Sequence, residues 1–279
     1  MNLEELIKNG SKQLKKSKTK TSLLDVEIIL SDLMGVTREF LITNNNMNIS
    51  DNIKKKFNHA INRRINNEPV AYITGKRDFW TETFAVNRAT LIPRPETELL
   101  IYKIIKFFRN KSINILDIGT GSGCILLSIL KELKFSRGTG IDISNLAIKV
   151  AINNSRRFNL SNRSKFKVFD INKFKFGKYD LIVSNPPYIP SKEIKKLSKD
   201  IRDYEPDIAL NGGKDGLDLI KKVIYKSSKL LKNNGLFAIE IGANQYLRVL
   251  AIMNKCGFRV VGKEFDYNDN VRCIISTKA

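Results

Sequence analysis

Ile113-Asn114-Ile115-Leu116-Asp117-Ile118-Gly119-Thr120-Gly121-Ser122-Gly123 is the stretch on which the reading of the whole chain turns. Ile113, Ile115 and Leu116 give residues 113–116 an extended character, the next seven residues carry three alternating glycines, and Ile125, Leu126, Leu127 and Leu130 then recur at helical spacing. A strand that passes through a glycine loop into a helix opens a doubly wound α/β sheet. The glycines permit a tight turn and a close approach of a ligand to backbone N–H groups at a helix N-terminus. A dinucleotide fingerprint needs its third glycine at position 124, which is Cys124. The register here is G-x-G-x-G.

That register suits S-adenosylmethionine, a nucleoside ligand with no pyrophosphate to cradle. The strands that follow agree. Residues 138–141 form a second strand ending at Asp142, a carboxylate placed to accept both hydroxyls of a ribose. Residues 166–169 form a third, ending at Asp170 and Ile171, where an acid can take an adenine amine and an apolar neighbour can cover the ring. A fourth, residues 178–184, is a near-continuous apolar run that stops at Asn185-Pro186-Pro187-Tyr188. Neither proline has an N–H to donate, and each holds the preceding residue extended. Asn185 then offers a side-chain oxygen, Pro186 a main-chain oxygen and Tyr188 a flat ring. Two acceptors and a ring suit a planar –NH2, either a carboxamide or an exocyclic base amine. Beyond them, a helix over 214–232, a strand over 236–241, a helix over 244–256 and a hairpin over 258–264 and 271–276 complete the sheet with an antiparallel edge.

Ahead of the glycine loop the pattern differs. Residues 1–70 read as a small helical domain: Ser22 caps one helix that Gly35 stops, and Ser50 caps another that Pro69 ends. The second helix sets Ile53, Phe57, Ala60, Ile61 and Ile65 against Lys54, Lys55, Lys56, Arg63 and Arg64, a basic face that is either solvated or a docking surface. Residues 71–92 read as a β-hairpin linker, extended from Val70 to Thr74 and again at 76–80 and 83–86, with the second domain running from 93 to 279. In Pro93-Arg94-Pro95-Glu96-Thr97-Glu98, Pro95 and the acids start a helix. Arg94, held between two prolines, and the acids beside it are also candidates to face a cleft.

Of the 279 residues 42% are apolar, which supports real cores. Lys and Arg number 49 against 28 Asp and Glu, a formal charge of +21 that fits a partner made of RNA or a ribosome-associated protein, although Lys and Asn are also abundant on plain helix faces. Three widely spaced cysteines, Cys124, Cys256 and Cys273, suggest neither a disulfide framework nor a metal site, and His59 has no second histidine. With no apolar h-region and no run approaching a membrane span, a cytoplasmic location is expected.

The chain resembles the HemK/PrmC family of protein-(glutamine N5) methyltransferases along nearly its whole length. The matching pieces are Pro69-Val70-Ala71-Tyr72-Ile73-Thr74-Gly75, residues 91–98, the glycine loop, Asn185-Pro186-Pro187-Tyr188, Tyr204-Glu205-Pro206 and Gly212-Gly213-Lys214-Asp215-Gly216-Leu217. The resemblance implies a seven-stranded, mostly parallel Rossmann-like methyltransferase sheet. It implies S-adenosylmethionine at Gly119, Thr120, Gly121, Ser122, Gly123, Asp142, Asp170, Ile171 and Asn185. The substrate is expected at Asn185, Pro186, Pro187 and Tyr188, with Arg94 and Glu98 nearby. Asn185, Pro186 and Tyr188 are expected to serve catalysis, on a glutamine in the Gly-Gly-Gln loop of class I peptide chain release factors. Two rivals share parts of this signature: an amino-methyltransferase of RNA or DNA bases, and a scaffold that has kept the fold without catalysis.

Overall fold

The computed structural model describes residues 2–278. The chain forms two units, Met1–Lys76 with Ser198–Tyr204, and Arg77–Leu197 with Glu205–Ala279.

The first unit is helical: Leu3–Lys16, Ser22–Met34, Arg38–Thr43, Asp51–Ile65 and Val70–Thr74. Asn2 and Glu5 exchange side-chain and backbone bonds at the first helix start. Ser50 Oγ accepts from Ile53 N at the fourth, as its sequence position predicts. Ser22 does not cap; it is already helical, and Thr21 precedes the helix without a side-chain bond. Residues 70–74 are a helical turn, not extended backbone. The Pro69 carbonyl accepts the N–H groups of Tyr72 and Ile73, and Val70 and Ile73 pack on the core of Leu30, Phe57 and Ile61. Burial there overrides the β-preference of Val, Ile and Thr.

The basic face of Asp51–Ile65 is also less free than its sequence suggests. Arg63 forks onto Glu68 at 2.8 and 2.9 Å and reaches the Tyr72 carbonyl, and Arg64 Nε lies 2.6 Å from the buried Asp25 Oδ2. Both arginines tie the bundle together. Tyr204 Oη donates to the Asn66 carbonyl, which anchors Ser198–Tyr204 in this unit.

In the second unit, β1 (Lys76–Phe79) and β2 (Glu82–Ala85) pair across a two-residue turn. Phe79 and Phe84 join the core of this unit, and buried Asn154 clamps β2 by bonding both the N–H and the carbonyl of Ala85. The hairpin thus belongs to the sheet unit instead of standing apart as a connector.

Seven further strands make one sheet: β3 (Asn114–Ile118), β4 (Arg137–Asp142), β5 (Ser164–Val168), β6 (Tyr179–Ser184), β7 (Leu231–Glu240), β8 (Phe258–Phe265) and β9 (Val271–Lys278), in the order β5-β4-β3-β6-β7-β9-β8. The first five in that order run parallel, and β9 enters antiparallel between β7 and β8. Alternate residues serve opposite faces. Ile115, Leu181, Val183, Leu236 and Ala238 pack with helices Glu98–Phe108 and Cys124–Glu132, while Leu116, Ile182, Phe237 and Ile239 pack with Asp218–Leu230 and Tyr246–Lys255. Two covered faces explain the near-continuous apolar run Leu181, Ile182 and Val183 of β6.

Candidate active site

Strand order reverses at β3, which has β4 on one side and β6 on the other. Chain connections leave a crevice at the carboxyl ends of such strands. A cavity of about 270 Å³ occupies it. Its walls include Ile118 to Ser122 after β3, Asp142 and Ile143 after β4, Phe169 to Asn172 after β5, and Ser184 to Pro187 at the end of β6. The strand-end residues singled out from sequence are therefore brought together around one space.

Asp142 is held by its neighbours: Gly121 N donates to Oδ2 at 3.0 Å and Ser144 N to Oδ1 at 2.9 Å. Two backbone donors leave the remaining lone pairs of the carboxylate for a ligand. Burial pushes its pKa above the ordinary carboxylate value, against the bonds from Ser144 and Gly121. Asp170 Oδ1 accepts from the backbone and side chain of Asn172, and its Oδ2 has no donor among the described residues. Ile171 is nearly buried among Ile141, Phe174 and Leu217, and the more accessible apolar walls are Ile143 and Phe169.

Asp117, on β3 two residues before Gly119 and outside the expected site, is fully buried. Its Oδ2 accepts from Thr120 Oγ1 at 2.6 Å, while Oδ1 has no partner. Burial raises its pKa from 3.8 to about 7, with the Thr120 bond opposing the shift and the Asp142 charge adding to it. The unfolded chain therefore loses this proton near pH 4 and the folded chain near pH 7. In that window the folded state binds more protons, so this group lowers stability as pH rises from about 4 to about 7. Asp117→Asn is expected to flatten that part of the stability profile of the ligand-free protein, measured by urea unfolding across the pH range. An unchanged slope would contradict the assignment.

At the end of β6, Ser184 Oγ donates to the Ile118 carbonyl and locks the strand tip to β3. Asn185 follows, with its Nδ2 donating to Thr97 Oγ1 at 3.2 Å. Among the described residues no donor reaches Asn185 Oδ1 or the Pro186 carbonyl. Thr97 Oγ1 in turn donates to Glu240 Oε2 at 2.5 Å, and Glu240 Oε1 accepts from Tyr188 Oη at 3.3 Å. Arg272 donates to Tyr188 Oη at 2.9 Å and lies over its ring.

Tyr188 is thus not a wall of the cavity: its ring meets Arg272, and burial pushes its hydroxyl far above the usual tyrosine range. Gly123 and Glu98 are not walls either. Gly123 starts the helix Cys124–Glu132, and Glu98 accepts from Trp80 N at 2.9 Å, closing the hairpin turn. Arg94 does line the cavity, held by Glu205 at 2.5 Å, whose other oxygen accepts from Ile92 N. Sequence reading missed Thr97, Asp117 and Glu240. A lone buried acid near the end of an apolar strand is a usable signal for the last two.

A doubly wound sheet with this strand order, and with a nucleoside-type crevice beside an Asn-Pro-Pro tip, defines a Rossmann-like methyltransferase. Residues 109–259 match the family model of a methyltransferase domain, and residues 5–75 match that of the PrmC N-terminal domain. The release factor glutamine methyltransferase of Clostridium acetobutylicum is 36% identical over 100% of this chain and 99% of its own. That of Buchnera aphidicola subsp. Schizaphis graminum is 39% identical over 100% of both. A methyltransferase from Pyrococcus furiosus, 19% identical, shares the fold with a TM-score of 0.53 over 70% of this chain and 88% of that one. The chain belongs to the release factor glutamine methyltransferase family.

Proposed function

We propose that this protein transfers a methyl group from S-adenosylmethionine to the side-chain amide nitrogen, N5, of the glutamine in the Gly-Gly-Gln motif of class I release factors, in the cytoplasm. The observation that carries the proposal is the pair of open acceptors, Asn185 Oδ1 and the Pro186 carbonyl, on the rim of a nucleoside-sized crevice. A primary amide presents two N–H donors in one plane, and a pair of acceptors is its complement.

The residues present fit the cofactor. Asp142 has carboxylate lone pairs for ribose hydroxyls, Asp170 Oδ2 is open to an amine, and Ile143, Phe169 and Ile171 supply apolar surface for a purine. When bound, the cofactor supplies an electrophilic sulfonium methyl.

The chain's own contribution is positioning and electrostatics. An amide nitrogen is a weak nucleophile because its lone pair is delocalised into the carbonyl. Asn185 Oδ1 and the Pro186 carbonyl hold its two N–H bonds, fix its orientation and meet the positive charge that develops on nitrogen. Cys124, the thiol in the cavity wall, is no base, since burial pushes its pKa to about 12. The amide proton leaves to water after transfer.

The match of residues 5–75 to the PrmC N-terminal domain favours a protein substrate over a nucleic acid. We assign the helical unit a docking role, because one side chain offers too little surface for selectivity. The test incubates the protein with methyl-labelled cofactor, a class I release factor and bulk RNA, and locates the label by mass analysis. Label on the Gly-Gly-Gln glutamine is expected. Label on a base amine, with the factor unmodified, would overturn the assignment.

A further inference from the structure

Glu240, the last residue of β7, is completely buried and makes no direct ion pair among the described residues. An ionised carboxylate only accepts hydrogen bonds. With Glu240 ionised, the state that the Thr97 and Tyr188 bonds and the Arg272 charge favour, both hydroxyls that reach it, Thr97 Oγ1 and Tyr188 Oη, spend their single proton on it. Tyr188 Oη has lone pairs left, which take the Arg272 Nη2 proton. The guanidinium charge is thereby brought close to Glu240 through one phenol oxygen.

Burial pushes the Glu240 carboxyl up from its ordinary value, and the Thr97 bond, the Arg272 charge and the Tyr188 bond hold it down, with Glu96 adding a smaller upward push. Thr97 is left in the same condition as Tyr188, with only lone pairs to offer. Its remaining neighbour is Asn185, 3.2 Å away. The end of the Asn185 amide that faces Thr97 must therefore be –NH2. A reversed amide would set oxygen against oxygen.

We propose that Glu240, acting through Thr97, fixes the rotation of the Asn185 amide so that Oδ1 alone is presented to the incoming substrate, making Thr97 and Glu240 positioning residues. The inference deepens the function proposed above and rests on it where substrate is concerned. It adds a chemical selectivity. A site fixed as acceptor welcomes a primary amide and repels a carboxylate, so Glu240 helps to distinguish glutamine from glutamate while standing three hydrogen bonds from either. A freely rotating Asn185 could turn whichever end was complementary, leaving that discrimination to the Pro186 carbonyl alone.

The experiment has two independent readouts. Thr97→Val keeps the shape of the side chain and removes the hydroxyl, while Thr97→Ser keeps the hydroxyl. In ¹⁵N-labelled protein the Asn185 side-chain –NH2 protons should be protected from solvent exchange in the wild type and in Thr97→Ser, and lose that protection in Thr97→Val. Single-turnover methylation of the release factor should fall roughly 10- to 100-fold in Thr97→Val, as expected for loss of one oriented hydrogen bond, with cofactor affinity unchanged.

A charge-reversal cycle separates positioning from mere packing. Asn185→Asp sets a carboxylate oxygen against the Thr97 lone pairs and should be as slow as Asn185→Ala. Adding Glu240→Gln supplies an N–H to Thr97, frees its proton for the aspartate and should restore at least roughly 10-fold of the rate, a coupling that independent sites would not show. Equal amide protection in wild type and Thr97→Val, or a double variant no faster than Asn185→Asp, would overturn the proposal. A wild-type protein that transfers no methyl to the factor would instead defeat the proposed function, and the exchange measurement would still decide whether Thr97 holds Asn185.

Discussion

Asn185→Ala is expected to slow methyl transfer by roughly two to three orders of magnitude, by analogy with the loss of one oriented dipole from a site that stabilises developing charge. The substituted atom is the acceptor at the end of β6 to which no protein donor is committed. In the ground state its bond to an amide N–H is worth little more than the bond to water that it replaces. As nitrogen becomes cationic the same bond becomes charge-assisted, so the loss falls on the rate of the chemical step more than on binding. Cofactor affinity should stay close to that of the wild type, because Asp142 and the glycine loop are untouched. Single-turnover kinetics and calorimetry with the cofactor make the comparison. If the variant turns over normally, Asn185 is a structural strand end and the proposed mechanism fails.

The second large effect is expected at a residue that never meets a ligand. Gly216 has φ +76, and a Cβ there would stand 2.3 Å from the Tyr188 carbonyl oxygen, 2.7 Å from Gln245 Nε2 and 3.2 Å from Pro190 Cδ. The obstructing oxygen is backbone, and it accepts a hydrogen bond from that same Gln245 Nε2 at 3.0 Å. Gly212, in the same loop, is equally close to the Pro187 oxygen and Tyr188 Cα, and the loop is stitched to the tip by the Gly212 N to Ile189 O and Ser191 N to Gly213 O bonds.

Gly216→Ala must therefore move the Asn185 to Tyr188 backbone. A displacement near 1 Å at a positioned amide can cost about 100-fold in rate. Backbone strain and overpacking should lower stability by about 1–3 kcal/mol. Gly257→Ala is the control, since Gly257 has a similar φ of +75 with nothing within 4 Å of the added carbon. It should show the conformational cost alone and keep full activity. Thermal unfolding and turnover of both variants test this, and equal activity in the two would remove the supporting role assigned to residues 212–216.

Much of the molecule was legible before any coordinates. The strand–loop–helix opening at residues 113–130, the acids at 142 and 170 and the prolines at 186 and 187 are local signals, each set by backbone conformation or by the period of apolar residues. Because a parallel strand covered on both faces carries a near-continuous apolar run, β6 announced its own burial. The helical character of residues 3–65 and the terminal hairpin followed from the same periodicity.

What depended on tertiary structure was every contact between groups far apart in the chain. Residues 70–74 have strand-like composition and became a helical turn in which Tyr72 is buried and Val70 and Ile73 pack against the core of the first unit. Arg63 and Arg64 read as part of a solvated or docking face and proved to be paired with Glu68 and Asp25. Tyr188 was expected against the substrate, yet its ring is taken by Arg272, 84 positions away. Nothing local marks Thr97, Glu240 and Arg272 as one group, since they come from a turn and two strands and meet only when β9 inserts beside β7. Sequence by itself determined most of the elements and their order, because those depend on neighbours within a few residues. The direction in which the Asn185 amide points was decided only by the folded chain, because a buried carboxylate reaches it through one hydroxyl whose proton can be given just once.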